Sequence, residues 1–444
     1  MQFMKRLYQL GVLLIPLFIF ISLSLILLYT GNGLTQAQTF PVLSGILAYA
    51  LLLFEVLLAA RPKYLEKKLG LPALYAIHGM AALVILAVTF LHAGSAMAAS
   101  AEFEVWPSVR PTGSLSTRLF LLATVTGAFV LSGVLAQKFK IIARIQRKRK
   151  RESSLVIHSL SFLAVALIFI HMLAVDATRE NTLFVVLAAL YSILTAGYFI
   201  YAKIRARHTP EYVLAGLNRQ NKNVFDLEFE HLSGTPLDYH AGQYVFLTFT
   251  DSALPKQSHP FSISSAPAED NRLILTVKQN GDYTAQLPDL KAGDKAVLEG
   301  PYGHFYTQYD TEADTPLVFL AGGIGITPLM SIIREQVKAG RNRRMILLWA
   351  LAEKDDVLFL DELESIQKSF TGFSYWITLS REKAEGFQYG RISTGLLEKA
   401  GVTDLGGYGE YFLCGPLPMM RSAKKLLLKN GIASEHIHME EFSF

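Results

Sequence analysis

The chain is almost without cysteine. A single residue, Cys414, stands in 444. This excludes an internal disulfide and any metal cluster built on several cysteines, and it suits a reducing compartment. Charge is also scarce. Asp, Glu, Lys and Arg make up 18% of the residues against 51% hydrophobic. The mean hydropathy of +0.31 is too apolar for an ordinary soluble protein. No internal repeat and no low-complexity tract is present. The apolar excess lies in the first 203 residues, and the remainder reads as soluble and long enough for two modest domains.

Long apolar runs mark six candidate spans, at roughly 8–29, 41–60, 72–95, 117–137, 153–175 and 182–202. Each is long enough to cross a bilayer. The first lacks a small-residue cleavage site and is followed by further spans, so it reads as an anchor. Orientation follows from the loops. Arg61, Lys63, Lys67 and Lys68 follow the second span; Lys138, Lys140, Arg144 and Arg147 to Arg151 follow the fourth; Lys203, Arg205 and Arg207 follow the sixth. The alternate loops are poor in both residues. The expectation is a multi-pass protein of the cell membrane with its N-terminus and everything after residue 203 in the cytoplasm. The basic run 144–151, lying between two spans, reads as a topology signal or a contact with lipid headgroups and not as a nucleic-acid site.

Four histidines interrupt the apolar runs as two matched pairs, His78 and His92 on the third span and His158 and His171 on the fifth. Spacings of 14 and 13 residues cover roughly 20 Å of helix at about 1.5 Å per residue. Imidazole is costly to bury in lipid unless something uses it, and its commonest use is to bind a metal. The two spans run in the same direction. Depth therefore pairs His78 with His158 near the cytoplasmic side and His92 with His171 near the outer side. Two neutral imidazoles could then ligate each of two haem irons axially. At about 100° per residue, a spacing of 13 leaves His171 about 140° around the helix from His158. The fifth span therefore needs a kink, a change of winding or different ring rotamers.

After residue 210 the pattern changes to short β-type segments, among them 223–230, 243–250 and 273–279, which suggest a small antiparallel barrel. From about 315, strands at 317–320, 345–351, 374–379 and 411–414 alternate with helices at 328–338, 360–367 and 419–429. This pattern points to a parallel, doubly wound sheet. The segment His259-Pro260-Phe261-Ser262-Ile263-Ser264-Ser265 combines a cation-capable ring, an aromatic and three hydroxyls, a set that suits a flavin. Gly281 to Thr284 and Gly300 to Gly303 offer places where backbone can approach a ligand closely. Gly322 to Pro328 joins a strand to a helix, with glycines for a phosphate, Thr327 as a cap and Pro328 in the first turn. It lacks the third glycine of the dinucleotide fingerprint. Cys414-Gly415-Pro416 follows another strand at the edge where ligands bind.

Taken together, these motifs resemble the NADPH oxidase and ferric reductase transmembrane superfamily, in its short bacterial form. The motifs that carry the resemblance are the histidine pairs, His259 to Ser262, Gly323 to Pro328, Cys414 to Pro416 and the terminal Glu441-Phe442-Ser443-Phe444. The resemblance implies a six-helix di-haem bundle over residues 1–203 and a ferredoxin-NADP-reductase-like module. That module would comprise an FAD-binding β-barrel at 208–307 and an NADPH-binding α/β domain at 312–444. It implies FAD, two b-type haems and NADPH as donor. His259 to Ser262 would hold FAD with Ser262 near the flavin N5, and Gly281 and Thr284 would lie along its pyrophosphate. Gly323, Gly325 and Thr327 would face the NADPH pyrophosphate, with Cys414, Gly415 and Pro416 by the nicotinamide. Ser380-Arg381 matches the 2′-phosphate contact, Arg391 belongs to a matching Gly-Arg pair, and Phe444 would stack on the flavin. Ser262, Cys414 and Phe444 would thus touch the reacting rings.

The implied activity is transfer of electrons from cytoplasmic NADPH to extracellular O2, giving superoxide. The closest rival is a ferric or cupric reductase with the same cofactors. A non-enzymatic membrane haem protein is opposed by the flavin and nicotinamide motifs. Two departures bear on the acceptor. Ala96 stands where oxygen-reducing members often carry a further histidine, and the second span has no arginine, Glu55 being its only charge. No calcium-binding loop or partner-docking tail is evident, so activity without an accessory subunit is expected.

Overall fold

The computed structural model describes residues 2–30, 34–105, 111–127, 151–207, 209–267, 272–309, 314–340 and 343–440. It divides into one compact unit ending at Arg205 and another beginning at Ala206.

The first unit is helical: α1 (Gln2–Thr30), α2 (Gln36–Ala59), α3 (Lys63–Leu69), α4 (Leu71–Ala98), α5 (Pro111–Thr126), α6 (Arg151–Ala174) and α7 (Thr182–Arg207). Four stretches are long and apolar enough to cross a membrane: Gln36–Ala59, Leu71–Ala98, Ser154–Ala174 and Thr182–Arg205. The first helix adds the shorter apolar stretch Leu14–Tyr29. The expected span 117–137 starts earlier, at Pro111, and is described as far as Gly127. Its remainder and the basic residues 138–150 lie outside the described residues. Leu83, Val84, Leu163 and Ile193 point outward from these helices, each half exposed or more. An apolar surface this extensive is what lipid solvates and water does not. Polar groups turn inward and find partners. Tyr49 donates to the Ala188 carbonyl at 2.9 Å, and Ser116 donates to that of Ala164 at 2.8 Å. Thr35 starts α2 with a capping box: its hydroxyl accepts from Gln38 N while the Gln38 side chain accepts from Thr35 N. α2 packs along α4, and α5 packs along α6.

The second unit begins with a six-stranded antiparallel sheet: β1 (Glu211–Asn221), β2 (Val224–Ser233), β3 (Tyr244–Asp251), β4 (His259–Ser262), β5 (Leu273–Lys278) and β6 (Lys295–Tyr302). Its order is β4-β3-β6-β1-β2-β5. A bridge between Ile263 and Leu275 joins the two outer strands, closing the sheet into a barrel. Phe225, Leu227 and Phe229 alternate into its core with Leu247, Phe249 and Leu275. The sequence pattern finds β2, β3 and β5 but not the other three. β1 ends in the polar run Asn218–Asn221, β4 is four residues with a proline, and β6 contains Gly300-Pro301.

A second sheet follows, with β7 (Leu317–Gly322), β8 (Met345–Leu351), β9 (Phe373–Leu379), β10 (Gln388–Tyr389), β11 (Glu410–Cys414) and β12 (Ile437–Glu440). All its pairings are parallel, in the order β10-β9-β8-β7-β11-β12. The helices α8 (Ile326–Lys338), α9 (Leu360–Ser369), α10 (Thr394–Lys399) and α11 (Leu417–Lys429) connect the strands. Every residue of β7 is buried, as a strand covered on both faces requires. The chain builds outward from β7 in one direction and then returns to lay β11 on its other side. A crevice therefore opens between β7 and β11 at their carboxyl ends, the usual ligand position in such sheets.

Candidate functional site

Two constellations emerge, one in each unit. In the helical unit the four histidines meet as two facing pairs. The rings of His78 and His158 lie 6.0 Å apart between centroids, and those of His92 and His171 lie 6.3 Å apart. The depth argument predicts this pairing. The fifth-span helix α6 is an uninterrupted α-helix, so no 3-10 or π segment makes the adjustment that its 13-residue spacing demands.

Each ring is backed by a neighbouring helix. His92 Nδ1 is 2.8 Å from the Pro41 carbonyl of α2, and His158 Nδ1 is 3.0 Å from the Ala123 carbonyl of α5. In both cases a glycine stands four residues on, Gly45 and Gly127. A Cβ on Gly45 would come within 2.9 Å of the His92 ring, and one on Gly127 within 3.3 Å of His158. Gly113 likewise makes room for His171, at 3.1 Å. His78 Nδ1 faces the carboxylate of Glu55 on α2. Nδ1 is thus hydrogen-bonded in two of the four rings and in contact with a carboxylate in a third. Among the described residues no group of three or more His, Cys, Asp or Glu side chains is arranged to hold a metal ion. Each gap is therefore faced by two imidazoles and, among the described residues, by no third such side chain.

In the second unit the crevice between β7 and β11 is lined by backbone. A Cβ on Gly325 would lie 2.5 Å from the Cys414 carbonyl carbon and 2.7 Å from Gly415 Cα. One on Gly415 would lie 2.8 Å from Gly322 Cα. Gly323 adopts φ +54 with nothing within 4 Å of its would-be Cβ, so its backbone faces open space. The buried Trp349 indole donates to the Gly323 carbonyl at 2.9 Å and holds the loop. Thr327 does not cap the helix. Its hydroxyl donates to Ile324 O at 3.0 Å, and the N-terminus of α8 has no side-chain cap. Ile326 N–H donates to the Gly323 carbonyl and Pro328 has no N–H to give, so the first turn of α8 offers an anion fewer donors than an ordinary helix start. Burial, with the Glu440 carboxylate beside it, pushes the Cys414 thiol well above its usual range. It stays protonated at neutral pH and does not act as a nucleophile.

On the barrel, β4 carries His259 to Ser262 paired to β3. The His259 ring stacks on Tyr283 at 3.9 Å, which brings this strand and the Gly281–Thr284 turn together. Burial pushes the Tyr283 hydroxyl up to about 12. Thr284 Oγ1 accepts from Asn280 N at 2.7 Å and so serves its own turn, while Gly281 at φ +113 faces open space. On the nucleotide side, the segments Ser380-Arg381 and Gly390-Arg391 sit together at the end of β9. Gly390 N donates to Leu379 O at 2.8 Å, and Thr378 Oγ1 donates to Gly390 O at 2.6 Å. Arg391 is exposed, and Arg381 is exposed with a loose ion pair to Glu353 at 3.6 Å.

Comparison with known proteins falls on these same segments. A family profile described as an FAD-binding domain matches residues 211–306, and one described as an oxidoreductase NAD-binding domain matches residues 319–425. The second half of the chain is an FAD- and NAD(P)-binding oxidoreductase module. It is 26% identical over 232 residues to the reductase component of propane 2-monooxygenase from Rhodococcus jostii, covering 50% of this chain and 60% of that one. It is 29% identical to ferredoxin–NADP reductase B of Sorangium cellulosum, covering 49% of this chain and 91% of that one. The FAD/NAD-binding domain of a nitric oxide dioxygenase from Vibrio cholerae superposes with a TM-score of 0.47 at 22% identity, covering 53% of this chain and 98% of that one. The chain spans about three-fifths of the first curated relatives it matches.

Within the module the two ligand-binding segments are bolted together by residues that the sequence pattern did not single out. Ser331 and Arg334 of α8 donate to the carbonyls of Ser265 and Ser264, each at 2.6 Å. Arg334 is held in turn by a two-pronged pair with Glu362 at 2.7 and 2.6 Å. Glu440, in register with Cys414, accepts from His304 N at 2.5 Å. Phe444, four residues further on, lies outside the described residues. Gly45, Gly113, Gly127 and Arg334 are the additions made by the fold. A glycine inside a membrane-type helix is the only sequence signal that points to the first three.

Proposed function

We propose that this chain is a transmembrane NADPH dehydrogenase that exports electrons, with FAD in the barrel and two b-type haems in the helical unit. His78 and His158 would hold the inner haem, and His92 and His171 the outer. The ring separations of 6.0 and 6.3 Å carry this reading. A metal–imidazole bond is about 2 Å long, so two such bonds and the inner half of each ring fill about 6 Å. Two protein ligands per gap suit an iron whose other ligands come from a macrocycle. When bound, FAD supplies hydride acceptance and release of single electrons, and haem supplies one-electron carriage.

The protein's part is to bind, orient and tune. His259, Pro260, Phe261 and Ser262 would hold the flavin, with Ser262 near its N5. The open backbone at Gly281 and at Gly323 approaches the pyrophosphates, and Gly325 and Thr327 line the nucleotide's path. The neutral Cys414 thiol, Gly415 and Pro416 would border the nicotinamide, and Phe444 would be the ring that meets the flavin. With six spans, both termini are cytoplasmic and the outer haem faces the cell exterior. The acceptor there is O2, giving superoxide. Ala96, in the place of a further histidine, favours a ferric or cupric ion as the second reading.

Purified protein in detergent or nanodiscs, given NADPH and a single acceptor, decides between them. Superoxide at a rate matching NADPH consumption supports the oxidase. Turnover with chelated Fe(III) under argon and none with O2 supports the reductase. Turnover with neither, in protein replete with FAD and haem, removes both. Nucleotide choice is tested at Arg381, which follows β9 and whose exposed guanidinium makes a loose ion pair with Glu353 at 3.6 Å. Charge-assisted hydrogen bonds are worth roughly 1.5–3 kcal/mol. Arg381→Ala should raise KM for NADPH about tenfold to hundredfold and leave KM for NADH nearly unchanged. An equal rise for both nucleotides would show that Arg381 does not read the 2′-phosphate.

A further inference from the structure

The four backed imidazoles are not backed alike. His92 and His158 meet neutral backbone carbonyls at 2.8 and 3.0 Å. His171 Nδ1 has no hydrogen-bond partner among the described residues. His78 alone meets a carboxylate, that of Glu55. Glu55 is the single charged residue of α2. It lies one turn from the helix end, where a glutamate can ordinarily reach water, yet it is 7% exposed. Among the described residues no lysine or arginine pairs with it. Its free oxygen, Oε1, is buried without a partner. A charge so placed is expensive in an apolar helix and marks a functional group. Among the described residues its only ionisable neighbour in contact is the ring it faces.

We propose that Glu55 is the positioning residue of the inner haem and sets the direction of electron flow. Its carboxylate accepts the Nδ1 proton of His78, which fixes the ring's tautomer and leaves Nε2 for the iron. It also makes that nitrogen a stronger donor than one backed by a carbonyl. A stronger axial donor stabilises the ferric state and lowers the reduction potential. The outer pair has one carbonyl-backed ring and one unbacked ring. The inner iron is therefore the more reducing of the two, and an electron moves downhill from the His78/His158 site to the His92/His171 site. This inference rests on the two-haem reading, and the experiment separates the two.

The test is spectroelectrochemical titration of the full-length protein, with the inner midpoint identified as the one lost in His78→Ala. Wild-type protein should show two low-spin haem transitions, the inner more negative; their absence would overturn the two-haem reading itself. Glu55→Gln keeps the shape but removes the charge. It should shift the inner potential in the positive direction, leave the outer one in place, and narrow or invert the gap. Haems present with neither potential moved, or both moved equally, would overturn the role of Glu55 alone. If Glu55→Gln loses the inner haem, Glu55→Asp decides. Retention of that haem near its wild-type potential supports the carboxylate, and loss like that of Gln overturns it.

Discussion

Alanine at His92 or at His171 is expected to leave the purified protein with half its haem and no electron export, while NADPH still reduces the flavin. In the proposed reading each ring would supply one ligand to the outer haem, and the facing ring, whose centroid lies 6.3 Å away, could not replace it from the opposite side. The ratio of haem to FAD, with stopped-flow bleaching of the flavin, measures both outcomes. Full haem content in either variant would remove the assignment. Gly45→Val is the milder counterpart. Its side chain would enter the space of the His92 ring, which a Cβ already approaches to 2.9 Å. The outer haem should then bind more weakly with its ligand still present.

Valine at Gly325 is expected to abolish reduction by NADPH without loss of FAD. The obstruction is backbone: the Cys414 carbonyl carbon at 2.5 Å and Gly415 Cα at 2.7 Å from the first added carbon. Neither can step aside as a flexible side chain would, so the two loops that form the crevice must part. Misplacing reacting groups by about 1 Å costs about a hundredfold in rate, and overpacking adds roughly 1–3 kcal/mol of destabilisation. NADPH-driven flavin reduction should fall at least about a hundredfold, while dithionite still reduces the haems. Gly395→Ala meets nothing within 4 Å and serves as the silent control. Wild-type hydride transfer in Gly325→Val would show that the crevice is not the nucleotide site.

Much of this was legible before any coordinates. The strands β7, β8 and β9 read as apolar runs because both of their faces are covered. The loops after β7 and β11 read as ligand loops because glycines follow each strand at its carboxyl end; in the structure Gly325 and Gly415 also let the two loops approach each other. The histidines stood out because imidazole is out of place in an apolar helix. What escaped had weak local signals. β1, β4 and β6 are half-exposed, short or interrupted by proline, and their pairing is supplied by neighbours distant in sequence. Thr327, which looks like a cap, turns its hydroxyl to Ile324 instead. Arg334 is an unremarkable helix residue until α8 is laid against the carbonyl of Ser264.

Local composition and spacing alone therefore determined that the chain has an apolar helical half and a half of strands and helices with ligand loops, and which imidazoles share a depth; the nicotinamide came from the resemblance. These are properties of periodicity and residue chemistry, and both act over a few residues. Tertiary structure decided which helix backs each ring. It set a carboxylate behind His78, a carbonyl behind His92 and His158, and left His171 without a partner. Hydrogen bonds between helices depend on register and rotation about each axis. Those are set by packing across the whole bundle and by no segment on its own.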